Sequence, residues 1–430
     1  MKEDINESRF DNGLVVLTDR MAGVRSATLG FFFRTGSRHE PAELNGISHF
    51  IEHTVFKGTK KRSTLDIAIE QDRLGGNFDA FTTHEETGFA IKVIDEHLPR
   101  AFDLVSDVLF EPRFDAADLK SEQRVIIEEM KMIEDSPEEY LGEIFSEAFF
   151  PGHPLGLSIA GTPKTVRSFT ADVTRGYHQQ TFSPRNLIIA AAGNVSHDEI
   201  VGLAAEVLSP SFSGPGAANG PLKRGLETAA PVLAAPITIK QNTNLEQAHL
   251  IIATPLVSAI DERRYAADLL ANIIGGGTSS RLWQKVREER GLAYSVGASA
   301  IMYQDCGLFS VFAGTSHEQV SEVTSLVITE MRNIVSNGIT DDELGLAKEQ
   351  SVASILMSLE DSAGRAATLA QAEMVHGRQI PVAETLQKID SVTTGDCLNR
   401  AREFFTTDRI AFAALGDLDR RLISRKNLAI

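Results

Sequence analysis

The sequence predicts an α+β protein built from two similar domains. Three observations predict it: the chain length, a stretch of unusual composition near the middle, and an order of predicted elements that occurs twice. The chain has 430 residues, which is longer than a domain with a single hydrophobic core usually is. Two domains of roughly 200 residues each are therefore expected. Apolar residues make up 42% and charged residues 23% of the chain, which is typical of a globular protein.

The middle stretch covers residues 209–236, where Gly, Ala, Pro and Ser dominate and apolar periodicity disappears. Such a composition is typical of an interdomain linker, because it provides little apolar surface that could be buried in a hydrophobic core. We therefore predict one domain over residues 1–208, a linker over 209–236, and a second domain over 237–430.

The third observation is an internal duplication. On each side of the linker, predicted apolar strands lead into helices, further strands and long amphipathic helices, and repetition of this kind indicates duplicated units. The segments 117–136 and 342–362 both end in Glu-Asp-Ser, and this alignment places Glu129 opposite Ile355. The second copy therefore lacks that carboxylate, which predicts that only the first domain carries chemistry.

Charge and hydropathy exclude several classes of partner. The net charge of −17 opposes nucleic-acid binding, which calls for a basic surface. No apolar run reaches the length of a bilayer span, so no membrane partner is predicted. The first ten residues, MKEDINESRF, are polar and lack the apolar core of a secretory signal. We therefore expect a cytoplasmic protein, or one already processed.

The segment NGISHFIEHTVFKGT predicts a short helix that carries chemistry. Because a helix turns by about 100° per residue, His49, Glu52 and His53 lie in one sector of it. Two imidazoles one turn apart can bind one cation, and the H-x-x-E-H order is the inverzincin motif. Histidine and carboxylate ligands with one open position suit catalytic zinc. Two helical histidines are also commonly solvated or hydrogen-bonded, so the motif alone leaves both interpretations open.

A second predicted helix, residues 116–134, strengthens the metal interpretation. Its apolar stripe consists of Leu119, Val125, Ile126, Met130 and Ile133. Glu122 and Glu129 fall inside the stripe, whereas Glu128 and Glu134 fall outside it. A carboxylate that points into a core needs a cation or hydrogen-bond donors. A buried arginine is one possible partner and a metal ion is the other. With one zinc ion per chain, Glu129 would complete two histidines and one carboxylate, and Glu122 would orient a ligand histidine.

Four motifs in fixed order carry a family resemblance: GSRHEPAELNGISHFIEHTVFKGTKKRS, GGNFDAFTTHEET, SEQRVIIEEM and GGGTSSRLWQKVREERGLAYS. With them the chain resembles, over nearly its whole length, the pitrilysin or insulinase-like (M16-type) zinc metallopeptidases. These include the mitochondrial processing peptidase subunits and short bacterial relatives. The resemblance implies two homologous domains, each a mostly antiparallel sheet with helices packed on one face. It also implies a catalytic first domain and an inactive second domain that contributes substrate-binding residues.

The resemblance assigns the same residues that the helical periodicity selects. In such enzymes the two histidines and a distant glutamate bind zinc, which implies His49, His53 and Glu129 as ligands. Glu129 lies 76 residues beyond His53, the spacing typical of the family. The central glutamate is the general base, which implies Glu52. A second carboxylate precedes the distant ligand by seven positions, and Glu122 occupies that place.

The resemblance further implies that unstructured peptides bind as an added strand beside an edge strand. By position that edge covers residues 76–82, and Gly76, Asp79, Ala80 and Phe81 are the expected substrate-binding residues. Many relatives carry Asn where Asp79 stands, so a specific side-chain contact there does not carry over directly.

An arginine and a tyrosine in the second half assist at the scissile carbonyl in such enzymes, and Arg287 and Tyr294 match them. We therefore expect a zinc-dependent metalloendopeptidase that hydrolyses presequence-like or other small unstructured peptides, and that works as a homodimer. A heterodimer with a related subunit is the alternative assembly. The alternative function is a non-catalytic scaffold or peptide-binding subunit of the same family.

Overall fold

The computed structural model describes residues 3–208 and 230–430, so most of the predicted linker lies outside the described residues. The first part contains β1 Ile5–Arg9, β2 Val15–Arg20, β3 Ser26–Phe33, α1 Ile47–Thr54, α2 Thr64–Leu74, β4 Phe78–Thr82, β5 Thr87–Ile94, α3 Leu98–Phe110, α4 Ala116–Asp135, α5 Pro137–Phe149, α6 Pro163–Ser168, α7 Ala171–Thr181, β6 Leu187–Gly193 and α8 His197–Leu208.

The second part contains β7 Ile237–Gln241, β8 Ala248–Leu256, α9 Arg264–Gly275, β9 Ala293–Met302, β10 Gly307–Thr315, α10 Val320–Asn337, α11 Asp341–Ser358, α12 Ser362–His376, α13 Val382–Ser391, α14 Thr394–Phe404 and β11 Ala411–Gly416. A π-helical turn, Trp283–Glu288, lies between α9 and β9. Across both described parts no helix combines the length and the apolar composition needed to cross a membrane.

Two mostly antiparallel sheets organise the described residues, which confirms the predicted α+β class. The first sheet has the order β1-β2-β6-β3-β5-β4 and the second the order β7-β11-β8-β10-β9. In the first sheet β2 and β6 are parallel, and in the second β7 and β11 are parallel. All the other described pairings are antiparallel. The five strands from β2 to β4 therefore have counterparts in the second sheet, as a duplication predicts.

The described residues form two compact units that exchange short segments. The first unit holds residues 3–131, 157–208 and 356–379, and the second holds 132–156, 230–355 and 380–430. Helix α12 thus belongs to the first unit and α5 to the second. The predicted division into the consecutive stretches 1–208 and 237–430 contains no such exchange.

Both faces of the first sheet are covered. Along β6 every residue is buried, as expected of a strand with two covered faces. Ile189 belongs to the core that the sheet forms with the helices of the first part of the chain. The alternate residue Ile188 packs in a separate cluster with Leu369 and Ala370 of α12. Most helices thus lie on one face, as the resemblance implies, while α12 covers the other.

Ion pairs attach α12 to the strands of the first unit. Arg365 of α12 lies 2.9 Å from Asp19 of β2, and both side chains are almost fully buried. Glu373, also buried, accepts hydrogen bonds from both terminal nitrogens of Arg9, at 2.8 and 2.6 Å. A different docking of the helix would leave buried charges unpaired, at a cost of about 3–5 kcal/mol each. These pairs therefore specify how α12 sits on the sheet.

Candidate metal centre

Helix α1 buries its apolar residues and leaves its two histidines partly exposed. Ile47, Phe50 and Ile51 are fully buried in the core of the first unit, whereas His49 and His53 are partly exposed. The helix starts after Gly46, whose φ is +94°. A Cβ there would come within 2.6 Å of the Ala160 carbonyl oxygen, so only glycine fits this start.

Helix α4 brings a carboxylate to the two histidines. The Oε2 atom of Glu129 lies 3.5 Å from His53 Nε2 and 3.8 Å from His49 Nε2. In the described part of the chain this trio is the one group of three or more His, Cys, Asp or Glu residues with metal-ligand geometry, and its candidate ligand atoms all lie within 4.8 Å of one another. The helical periodicity of the sequence predicts that His49 and His53 share one face of their helix and that Glu129 points inward from the other.

The trio fits a zinc ion. Ligand atoms around a tetrahedral zinc with bonds near 2.1 Å lie roughly 3.4 Å apart, close to the two distances measured to Glu129. The Oε2 atom of Glu129 is buried and accepts no hydrogen bond, and an unsatisfied buried carboxylate oxygen is costly without a cation.

Helix α4 departs from the predicted apolar stripe at one residue. Val125 is 49% exposed, because the buried face of the helix is narrower than the sequence pattern suggested.

The electrostatics of the two histidines also suit a cation. Burial, and then the neighbouring His53, lower the pKa of His49 to about 4, so its imidazole is neutral, the form that binds metals. Burial lowers the pKa of His53 as well, but Glu122, Glu129 and Glu52 outweigh burial and raise that pKa above its ordinary value. A group of carboxylates that favours positive charge on His53 would equally favour a metal cation beside it.

Glu122, the residue predicted to orient a ligand histidine, lies beside His53. Its buried carboxylate lies 3.5 Å from His53 Nδ1 and 2.8 Å from Lys57 Nζ. Burial alone would raise the pKa of Glu122, but the contacts with His53 and Lys57 lower it overall. The ionised carboxylate is therefore available to orient the His53 ring with Nε2 toward Glu129.

Glu40 holds the start of α1. Its buried carboxylate accepts hydrogen bonds from the backbone N–H groups of Gly46 at 2.7 Å and Ser48 at 2.8 Å. These donors satisfy orphan N–H groups of the first turn. Burial raises the pKa of Glu40 to about 7, although both N–H groups act in the opposite direction. Glu40 thus fixes the N-terminal turn that carries His49.

Glu52 lies beside the trio and not in it. Its Oε2 atom accepts a hydrogen bond of 2.7 Å from the hydroxyl of Thr82, the last residue of β4. Burial raises the pKa of Glu52, while the Thr82 hydrogen bond lowers it. The predicted general base is therefore hydrogen-bonded to the strand beside α1 and separate from the predicted ligands.

The predicted substrate-binding residues lie at the free edge of the first sheet. Strand β4 pairs with β5 on one side and with no described strand on the other. Asp79 and Phe81 are exposed on it, and Ala80 is partly buried. Gly76 precedes the strand, where a Cβ would come within 2.1 Å of the Lys92 carbonyl oxygen. Asp79 accepts a hydrogen bond of 2.7 Å from Asn77.

Arg287 and Tyr294 lie in the second unit and contact each other. The Arg287 guanidinium stacks 4.1 Å from the centre of the Trp283 ring and 4.9 Å from that of Tyr294. Tyr294 is 78% exposed on β9, the edge strand of the second sheet. Two aromatic rings thus hold the guanidinium, and each adds a cation–π attraction.

Four residues with contacts at α1 or Arg287 are not predicted from the sequence: Glu40, Lys57, Thr82 and Trp283. Lys57 had a usable signal, because it follows His53 by one helical turn and so shares its face. Trp283 precedes Arg287 by four positions and had the same signal. Glu40 and Thr82 had none, since each reaches α1 from a different element and only the folded chain brings them together.

The two sheets and the paired histidines of α1 define a two-domain α+β protein that carries the inverzincin motif H-x-x-E-H. A family model described as "Insulinase (Peptidase family M16)" matches residues 15–163, and one described as "Peptidase M16 inactive domain" matches residues 168–351. The chain belongs to peptidase family M16, the insulinase family.

Two relatives support the assignment, and two solved structures share the fold. The chain is 37% identical to an uncharacterized zinc protease of Streptomyces coelicolor, covering 99% of this chain and 92% of that protein. It is 36% identical to an uncharacterized zinc protease of Bacillus subtilis, covering 92% and 95%. A protease from Helicobacter pylori has a TM-score of 0.85 at 20% identity, over 96% of this chain and 100% of that one. A structure described as the peptidase M16 inactive domain from Pseudomonas fluorescens has a TM-score of 0.87 at 20% identity, over 96% and 98%. The two structures establish the shared fold.

Proposed function

We propose that this protein is a zinc-dependent endopeptidase that hydrolyses unstructured peptides. The observation that carries the proposal is the convergence of His49, His53 and Glu129, with Glu52 beside them on a separate hydrogen bond. A structural metal site closes all its positions with protein ligands, whereas a catalytic site leaves one open. Three ligand residues with a further carboxylate beside them that is not a ligand are the arrangement of a catalytic site.

Each residue then has a distinct task. His49, His53 and Glu129 hold the ion, and Glu122 fixes the orientation of His53. When bound, zinc supplies Lewis-acid chemistry that acidifies water and polarises a carbonyl group. Glu52 takes the proton of the attacking water on its carboxylate and passes it to the nitrogen of the amine that leaves.

The free edge of β4 supports a peptide substrate. An extended peptide can add to such an edge through main-chain hydrogen bonds, and β4 ends at Thr82, which contacts Glu52. Pairing would therefore bring a backbone carbonyl toward the proposed base. The net charge of −17 further favours basic peptides, because a negative potential attracts them.

A quenched peptide assay tests the proposed function. We expect purified protein to cleave an unstructured basic peptide, a chelator to stop cleavage, and added zinc to restore it, because the metal ligands remain after the ion is removed. Release of fluorescence measures cleavage. Binding of the peptide without cleavage, at full zinc loading, would contradict the proposal and favour a peptide-binding subunit of the same family.

We further propose that the active form is a homodimer. The resemblance assigns Arg287 and Tyr294 to the scissile carbonyl, and in the proposed dimer these two residues of one subunit complete the zinc site of the other. Both residues and the complete zinc motif occur in this chain, so a dimer of two identical chains contains all the residues that the proposed site needs. A heterodimer with a related subunit would instead divide the parts between two different chains.

Complementation between two inactive variants tests the dimer. We expect Glu52→Gln and Tyr294→Phe to be nearly inactive alone. Glu52→Gln lacks the general base, which costs about 10² to 10⁴ in rate, and Tyr294→Phe lacks a donor at the developing oxyanion, which costs roughly 2.7 to 4 kcal/mol. After subunit exchange a mixed dimer has one intact site, so random pairing in a two-fold dimer restores activity to roughly a quarter of wild type. A labelled-subunit assay verifies the exchange. No recovery after verified exchange would place Tyr294 outside the partner's site.

A further inference from the structure

Thr82 links the edge strand to the proposed base. On β4 the side chains alternate, so that Phe78 and Ala80 contact the core beneath the sheet while Asp79 and Phe81 are exposed. Thr82 has the parity of Phe78 and Ala80 and is itself partly buried. Its hydroxyl therefore points to the side on which α1 lies, and it reaches Glu52 Oε2 at 2.7 Å.

This contact restricts the Glu52 carboxylate. Among the described residues, Thr82 is the one that donates a hydrogen bond to Glu52. A glutamate side chain has three rotatable bonds and can adopt many orientations. A hydrogen bond donated to one carboxylate oxygen favours the orientation in which that bond is made. With Oε2 bound to Thr82, Oε1 is the oxygen left to accept a proton from water.

We infer that Thr82 is a positioning residue, which holds the Glu52 carboxylate so that Oε1 is free for proton transfer. The inference rests on the proposed function. It predicts a role in the rate of the chemical step and none in zinc or peptide binding, because the Thr82 hydroxyl donates to Glu52 and not to a proposed ligand, and the Thr82 side chain lies on the face of β4 opposite to Asp79 and Phe81. The strand proposed to receive the peptide thus also holds the base in place.

Matched substitutions at Thr82 test this role. Val replaces the hydroxyl by a methyl group of similar size, and Ser keeps the hydroxyl. We expect T82V to lower kcat about tenfold to a hundredfold, the range for a lost hydrogen bond to a charged group. We expect T82S to stay within roughly threefold of wild type. KM, zinc content and the dissociation constant of a fluorescent basic peptide should stay within about twofold in both variants, since a misplaced base affects neither binding step.

Thr87 provides the control. It pairs with Thr82 across β4 and β5, but its hydroxyl donates to the Thr35 carbonyl oxygen, so T87V perturbs the sheet without touching Glu52. An unchanged kcat in T82V, an equal fall in T82S, an equal fall in T87V, or zinc loss in T82V would each overturn the inference while leaving the proposed function intact. A wild-type protein without chelator-sensitive hydrolysis would overturn both.

Discussion

Replacing Glu52 by glutamine is expected to abolish peptide hydrolysis while zinc stays bound. The amide cannot take a proton from water, and loss of a general base typically costs a factor of about 10² to 10⁴ in rate. The proposed ligands are untouched, because Glu52 lies outside the trio of His49, His53 and Glu129. The amide oxygen of the substituted side chain can still accept the Thr82 hydrogen bond, so the local structure should persist.

Two measurements on the same preparation check this expectation. Elemental analysis should give one zinc per chain in E52Q, and the quenched peptide assay should give no hydrolysis. A zinc-free E52Q protein would assign Glu52 to the metal site, and a nearly active one would assign the base to another residue. The fully exposed Asp172 provides a control, since D172N also replaces a carboxylate by an amide and should leave both values at the wild-type level.

Replacing Glu129 by glutamine is expected to release zinc and with it all activity. Glu129 supplies the carboxylate of the trio, and the neutral amide is a weaker ligand for a divalent cation. Loss of an outer partner of a metal site lowers metal affinity by about tenfold to a hundredfold, and loss of a direct ligand should exceed that range. Competition with a chromogenic chelator measures the zinc dissociation constant.

Glu128 is the matched control, one position earlier on the same helix. Its side chain is 68% exposed and pairs with Lys131, so E128Q should leave zinc affinity unchanged. E122Q should lie between the two, since Glu122 contacts His53 and is not in the trio. Equal zinc loss in E128Q and E129Q would contradict the orientation of α4.

The grouping of His49, His53 and Glu129 was largely predictable from the sequence, because these residues lie on two helices with regular periodicity. The i, i+4 spacing of His49 and His53 predicts a shared face, and the apolar neighbours of Glu129 predict that it points inward. Helical geometry is local, so neither inference needed the tertiary structure. The same logic failed at Val125, which the pattern places in the apolar stripe and the fold leaves half exposed.

Residues that reach the site across the fold were not predictable. Thr82 contacts Glu52 because the fold places β4 beside α1. Glu40, in the loop before α1, accepts hydrogen bonds from backbone N–H groups at the start of that helix. No regular sequence spacing, such as the i, i+4 spacing of a helix, predicts either contact. The exchange of α5 and α12 between the two units could not be predicted for the same reason. Both are amphipathic helices, and the pattern of apolar residues in a helix does not show which sheet it covers. Which strand pairs with which is likewise set by long-range packing.

The exchanged helix α12 has a consequence for protein synthesis. The sheet face that it covers includes Ile188 and Leu17, which leave the ribosome more than a hundred residues before Leu369 does. At about 5–20 residues per second, the nascent first unit would wait on the order of ten seconds or more with that apolar face open. A chain truncated after residue 208 would keep that face open permanently, and we expect it to aggregate.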